Sequence, residues 1–296
     1  MISVFDLHCD TLLEVYNKGL NFESCCLHIN LNKVRKFKNY AQVCAIWSDY
    51  RLDDLQAYQK AVSVINFYKN QGFSFITHFK NINKQSFILG IEDARILNGD
   101  ISKLYLLYEL GVRVVTLNWK GVSCIGGGFD TDIGLSDFGK DVVLECARLG
   151  IVIDLSHSST NTFFDVINLG NRFGFTPIAS HSNSLFVCNH KRNLSDEQFK
   201  CLCDLNSVIG ISFATEHLGK SANLYTIISH VEHYLSLIGE NAIALGCDFD
   251  GVNALPVGIE SIDDLATLYS LFCKEFGKNI TEKIFFHNAN NYFMNF

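Results

Sequence analysis

The sequence predicts an α/β fold, a (β/α)8 TIM barrel. Three observations carry that expectation. Short, mostly apolar runs alternate with amphipathic stretches along the whole chain. Polar residues directly follow several of those runs, where a barrel builds its active site. No Gly-rich phosphate loop follows the first run, as a doubly wound open sheet would usually carry. The 296 residues suit one such barrel, so a single domain over 1–296 is expected.

The expected strands, in order, are Ile2–Leu7, Ala41–Trp47, Ser86–Ile91, Val112–Leu117, Ile151–Leu155, Thr176–Ala179, Val208–Phe213 and Ala242–Gly246. Their apolar character suits parallel strands buried on both faces. The expected helices are Asp53–Gln71, Ile101–Leu110, Asp137–Leu149, Thr160–Leu169, Asp196–Leu205 and Leu224–Ile238, followed by Ile262–Phe276 and Thr281–Phe293. Asp137 reads as the cap of its helix and Gly150 as its left-handed end. Ser195 precedes Asp196, Glu197 and Gln198, which puts acidic side chains in a first helical turn. Gly126–Gly128 lacks both the G-x-G-x-x-G spacing and a following Lys-Ser/Thr, and reads as a flexible loop.

Composition narrows the class. Asp and Glu (31) outnumber Lys and Arg (24), which argues against a nucleic-acid partner held by bulk charge. With 48% hydrophobic and 19% charged residues, a long disordered chain is excluded. The 11 cysteines are odd in number and too sparse for a disulfide scaffold. Cys25-Cys26 and Cys201-x-Cys203 have the wrong spacing for a structural zinc site. No basic leader, anchor signal or apolar run of about 18 residues is visible, so a cytoplasmic protein without a membrane partner is expected.

The residues after the runs supply the chemistry. In Asp6-Leu7-His8-Cys9-Asp10, alternation puts His8 and Asp10 on one face and Cys9 on the other. Alone, such a pair is more often an ordinary hydrogen bond than a pair of metal ligands. Glu92 follows the third run, where an acid at a helix start is the bland alternative. Ser156-His157-Ser158 and Ser180-His181-Ser182 each follow an apolar run. Either histidine alone reads as a core residue, but the repeat suggests two imidazoles at one pocket. Serines beside them can hold the second ring nitrogen or leave room for an ion. Gly246-Cys247-Asp248-Phe249-Asp250-Gly251 adds Asp248 at a strand mouth, as ligand or proton shuttle, and an Asp250-Gly251 turn. This inventory is enough for two divalent ions bridged by one carboxylate. Cys9 and Cys247 are expected to face away from it.

The ordered set resembles the membrane dipeptidase (renal dipeptidase) family of binuclear zinc peptidases. Beyond the motifs above, the resemblance is carried by Ile46-Trp47-Ser48, Gly90-Ile91-Glu92, Thr116-Leu117-Asn118-Trp119, Gly134-Leu135-Ser136-Asp137-Phe138-Gly139, Asp154-Leu155-Ser156-His157 and His190-Lys191-Arg192-Asn193. It runs through nearly the whole chain. It implies a cytoplasmic, bacterial-type metallodipeptidase that hydrolyses dipeptides with a hydroxide bridging two zinc ions per subunit. By this resemblance His8, Asp10 and Glu92 hold one zinc, and Glu92 also reaches a second zinc held by His157 and His181. Asp248 is then the acid/base. Arg192 pairs with the substrate's free carboxylate, a task suited to a guanidinium fork.

One position departs from the mammalian pattern. Trp119 stands where those members carry a substrate-contacting histidine, and an indole cannot become cationic. It is expected instead to pack against a substrate side chain, as in bacterial-type members. The family also implies tolerance of a D-residue at the C-terminal position and a homodimer. Zinc itself is a family inference, since these donors suit several divalent metals. Two other readings stay open. One is a related amidohydrolase acting on a lactam or N-acyl amino acid, although such barrels usually carry His-x-His and a carboxylated lysine. The other is a non-catalytic metal-binding barrel, which the complete ligand set argues against. With ligands beginning at His8 no leader is expected, and the cysteines are then expected to be mainly small buried hydrophobes in a reducing cytosol.

Overall fold

Apolar runs spaced by amphipathic helices fold here into a parallel sheet whose helices supply the return crossings. The computed structural model describes residues 1–82, 84–237 and 240–296. The strands are β1 (Ser3–Cys9), β2 (Asn39–Trp47), β3 (Gln85–Glu92), β4 (Val112–Thr116), β5 (Val152–Asp154), β6 (Ile209–Ile211) and β7 (Ile243–Leu245). They pair in the order β5-β4-β3-β2-β1-β7-β6, all parallel.

The sheet is curled. Ile178 forms a parallel bridge to Asp154 on β5, and Ala179 forms one to Ile209 on β6, so this segment touches both edges. The sixth expected strand, Thr176–Ala179, is therefore reduced to two bridging residues. Ile178 N–H donates to Ile153 O, and Gly210 N–H donates to Ala179 O. Pro177 has no N–H with which to extend the ladder. The last expected strand becomes β7.

The helices follow local signals. Asp53 caps Asp54–Asn70 and closes a capping box with Gln56. Ser195 does the same with Gln198 for Asp196–Asp204. Ser136, not Asp137, caps Asp137–Leu149: its hydroxyl accepts from Gly139 N–H at 2.8 Å. Asp137 instead occupies the first helical position, where its charge faces the positive end of the helix. Gly150, at φ +70°, ends that helix as expected. The helix Thr160–Phe173 runs one turn further than expected. Leu224–Leu237 is helical, and the expected end at Ile238 lies outside the described residues. Leu265–Glu282 and Asn288–Asn295 are joined by a π-helical turn.

Two apolar layers sandwich the sheet. The inner one contains Phe5, Leu7, Val43, Ile88, Val114, Val152, Ile178, Val208 and Ala244, and Phe286 and Phe293 of the C-terminal helices close its end. The outer layer packs sheet against helices and includes Cys9, Cys44 and Cys247. Between these lies a bulge in β1: Asp6 pairs with Gln42, but Cys9 pairs with Cys44. The extra residue lets Leu7 reach the inner layer while His8 turns to the C-terminal mouth. All 11 cysteines are free thiols. Among the described residues no helix is long and apolar enough to cross a membrane.

The Gly126–Gly128 segment is pinned rather than flexible. Gly126 bridges Leu135, Gly127 bridges Val122 and Gly128 bridges Ser158. A Cβ on Gly127 would collide with Ile133 O and Thr131 Oγ1, and one on Gly128 with the backbone of Lys120. Here glycine serves close backbone approach, a demand that no spacing motif signals.

Candidate metal centre

The C-terminal ends of the strands converge on Glu92, the last residue of β3. Its Oε2 lies 3.4 Å from His8 Nε2, and His8 Nε2 lies 3.5 Å from Asp10 Oδ2. Its Oε1 lies 3.1 Å from His157 Nε2 and 3.8 Å from His181 Nε2. The two imidazoles approach each other at 2.9 Å between Nε2 atoms. Two donor triads that contain Glu92 result, His8–Asp10–Glu92 and Glu92–His157–His181, each with its donor atoms within 4.8 Å of one another. They share Glu92 through different oxygens. Asp248 Oδ1 stands 3.8 Å from His8 Nε2.

Backbone hydrogen bonds lock these residues together. Asp248 N–H donates to His8 O at 3.1 Å, and Asp10 N–H donates to Phe249 O at 2.9 Å. The end of β1 and the segment after β7 are therefore tied together. His157 (φ +68°), Asp248 (φ +63°) and Asp250 (φ +66°) all adopt left-handed backbone, rare for residues with a Cβ. Asp250 accepts from Thr11 Oγ1 at 2.5 Å and from His28 N–H at 2.9 Å. It ties the loop before β2 to the mouth of the site, a larger task than a plain turn.

The electrostatics suit cations. Burial pushes Glu92 up from the usual carboxylate range. Burial, with Asp10 and Glu92 alongside, pushes Asp248 well above it. Burial holds His157 and His181 well below the ordinary imidazole value. Burial opposes charge on His8 too, but Glu92 and Asp10 raise it well above that value. His8 Nε2 is buried without a hydrogen-bond partner. Buried carboxylates, the imidazoles of His157 and His181 held neutral, and a His8 ring nitrogen without a hydrogen-bond partner are residue types that divalent ions take as ligands, with protons released on binding.

A cavity of about 560 Å³ opens onto this cluster. Arg192 lines it and is buried, and burial lowers its pKa to about 10. Its Nη2 donates to His181 O at 3.1 Å, while its Nε has no partner. The guanidinium thus retains donors for a ligand. An aromatic cluster lines the same cavity. Trp119 stacks on Tyr50 at 5.6 Å and meets Trp47 edge-on at 5.1 Å, with its ring 6.0 Å from His157.

All eight residues singled out in the sequence (His8, Asp10, Glu92, Trp119, His157, His181, Arg192 and Asp248) meet at this cluster or line its cavity. Sequence reasoning assigned no role to Trp47, Tyr50 or His217, which also line the cavity. Trp47 lies at the end of β2, so a strand-end aromatic was the available signal. Tyr50 lies in a turn and His217 in the four-residue helix Thr215–Leu218, and neither gave one.

A model of the membrane dipeptidase family (Peptidase family M19) matches residues 1–290. Two uncharacterised dipeptidases of Schizosaccharomyces pombe are 30% and 31% identical, over 67% and 68% of this chain. The alignments cover 49% and 50% of those proteins, so the chain spans about half the length of these curated relatives. The crystal structure of the metallopeptidase dipeptidase AC superposes with a TM-score of 0.89 at 25% identity, covering 99% of this chain and 98% of that one. A metallopeptidase from Rhodobacter sphaeroides, liganded with a phosphinate mimic of the dipeptide L-Ala-D-Ala, gives 0.88 at 23% identity, covering 99% of both chains.

Proposed function

The chain belongs to the membrane dipeptidase family, and on that premise we propose that it is a metal-dependent dipeptidase. The observation that supports this most is the pair of donor triads sharing Glu92, with the unfilled guanidinium of Arg192 lining the same cavity. His8, Asp10 and Glu92 would hold one ion, and Glu92, His157 and His181 a second, with zinc as the expected metal. Such ions would polarise the scissile carbonyl and make water acidic enough to react near neutral pH.

The chain's own residues do the rest. Arg192 grips the C-terminal carboxylate and limits substrates to very short peptides. Asp248, whose Oδ1 stands 3.8 Å from His8 Nε2 beside the donors, takes the proton of the attacking water and returns it to the leaving amine. Trp119, with Tyr50 and Trp47, packs against a substrate side chain. In this reading residues 176–179 are the eighth stave of a (β/α)8 barrel, and 1–296 form one domain. The ligand of the Rhodobacter enzyme suggests pairs with a D-residue at the C-terminal position.

The test is a panel of L,L and L,D dipeptides, with N-acetyl amino acids and cyclic dipeptides as competing classes, run beside metal analysis. Release of free amino acids from dipeptides by protein carrying two zinc ions is expected. Full metal occupancy without dipeptide turnover would overturn the proposal. Preference for the N-acyl or cyclic compounds would move it to the amidohydrolase alternative.

A further inference from the structure

Beneath the metal donors lies a fully buried carboxylate with no part in the mechanism above. Asp154 ends β5 and accepts four hydrogen bonds. Its Oδ1 takes the N–H groups of Ser156 (3.0 Å) and Ser180 (2.8 Å). Its Oδ2 takes the hydroxyls of Thr116 and Ser180, both at 2.6 Å. One side chain thereby joins the end of β4, its own strand and the bridging segment that leads to His181. Its donor oxygen lies within 4.8 Å of nitrogens of His8 and His181, but all four lone-pair directions are already used, so it is a poor metal ligand.

Ser180 makes the next link. Its Oγ is 2.7 Å from His181 Nδ1. A hydroxyl has one proton, and that of Ser180 is committed to Asp154 Oδ2. The contact with His181 must then run from Nδ1–H to Ser180 Oγ. A neutral His181 so held carries its proton on Nδ1 and keeps the Nε2 lone pair for the site. His181 N–H also donates to Ser156 Oγ at 3.0 Å, fixing the backbone that carries the ring.

We infer that Asp154 is a positioning residue, which sets the tautomer of His181 through Ser180 and so makes Nε2 available to a metal ion. This rests on the metal-site reading above. The substitution Asp154→Asn separates tautomer control from plain support. Its carbonyl oxygen must take the Oδ1 place, because the two backbone N–H groups there cannot reverse. Its NH2 group then faces the two hydroxyls, which can rotate. The Ser180 proton becomes free to turn to His181 Nδ1, and the imidazole proton moves to Nε2, where it blocks the lone pair.

The experiment follows nitrogen-15 histidine spectra of the metal-free chain, with His181→Gln to assign the signal, and Zn2+ titration by calorimetry. Wild type should show Nδ1–H at His181. Asp154→Asn should show Nε2–H and bind one of two zinc ions about 10–100-fold more weakly, the range typical of such outer partners. Ser180→Ala should lose the single tautomer and weaken the same ion. Ser180→Thr should restore both. An unchanged tautomer in Asp154→Asn and Ser180→Ala, with both ions bound as in wild type, would overturn the inference and leave the dipeptidase reading intact. Wild type that shows the Nδ1–H tautomer but binds no zinc would instead sink the metal-site reading. A melting-temperature loss without a tautomer change would reduce Asp154 to structural support and overturn its positioning role.

Discussion

Glu92 Oε1 lies 3.1 Å from His157 Nε2, while the other oxygen of the same carboxylate faces His8 at 3.4 Å. One side chain from β3 therefore belongs to both donor triads. Replacing it with the isosteric amide, Glu92→Gln, keeps the shape and removes the charge. Metal content should fall from two ions per chain to one or none, and kcat/KM by more than the ~10–100-fold typical of outer-shell partners. Metal analysis that still finds two ions in the variant would refute the shared role.

Arg192 is buried with an unpartnered Nε, so a carboxylate ligand would complete its hydrogen bonding. Arg192→Lys replaces a planar fork with a point charge. We expect kcat/KM for dipeptides to fall roughly 10–100-fold, mainly through KM, from loss of a charge-assisted pair. Dipeptide amides, which lack the carboxylate, should be nearly indifferent to the change. Equal losses for acids and amides would argue against the clamp.

Gly210 on β6 and Gly246 just after β7 make room for the backbone of Ser180. A Cβ on either would collide with Ser180 O, and each would crowd the other's Cα. Backbone on both sides leaves little to yield. Gly246→Ala should cost about 1–3 kcal/mol, the usual range for overpacking. It should also weaken zinc binding, because displaced Ser180 carries His181. Thermal melts and zinc calorimetry on the same sample check both, and normal values in each would contradict the packing argument.

His230 sits away from the metal donors, fully buried on the helix Leu224–Leu237. Its Nδ1 accepts from Ser184 N–H at 3.0 Å, and its Nε2–H donates to Leu218 O at 3.1 Å. Burial lowers its pKa from 6.5 to about 4. Between these values the unfolded chain binds a proton that the folded chain does not. The stabilisation is complete above about pH 6.5 and is lost as pH falls towards 4, by roughly 3 kcal/mol at most. His230→Asn keeps an acceptor for Ser184 and cannot titrate. Its melting temperature should decline less steeply than wild type from pH 7 to 4, and parallel declines would refute the assignment.

Much of the frame was readable from local pattern. Apolar runs and amphipathic stretches marked seven strands and the longer helices, because burial on both strand faces and on one helix face leaves different periodicities. Boundaries were less legible where two residues suit one task. Ser136 and Asp137 are both good caps, and only the hydrogen bond to Gly139 separates them. Thr176–Ala179 looked like its neighbours, yet only Ile178 and Ala179 form bridges.

The sequence by itself determined an α/β class with parallel strands and placed acids and histidines after them, because residue type and strand-end position are local properties, while their grouping as one donor set rested on a family resemblance. Tertiary structure alone decided how those donors are aimed. The β1 bulge turns His8 to the mouth, left-handed backbone orients His157 and Asp248, and Asp154 orders the hydrogen bonds that face His181. The partners that do this lie far apart along the chain, as Thr116, Asp154 and Ser180 do. Their register exists only once the sheet has curled, so no local pattern can announce which nitrogen of an imidazole will be free.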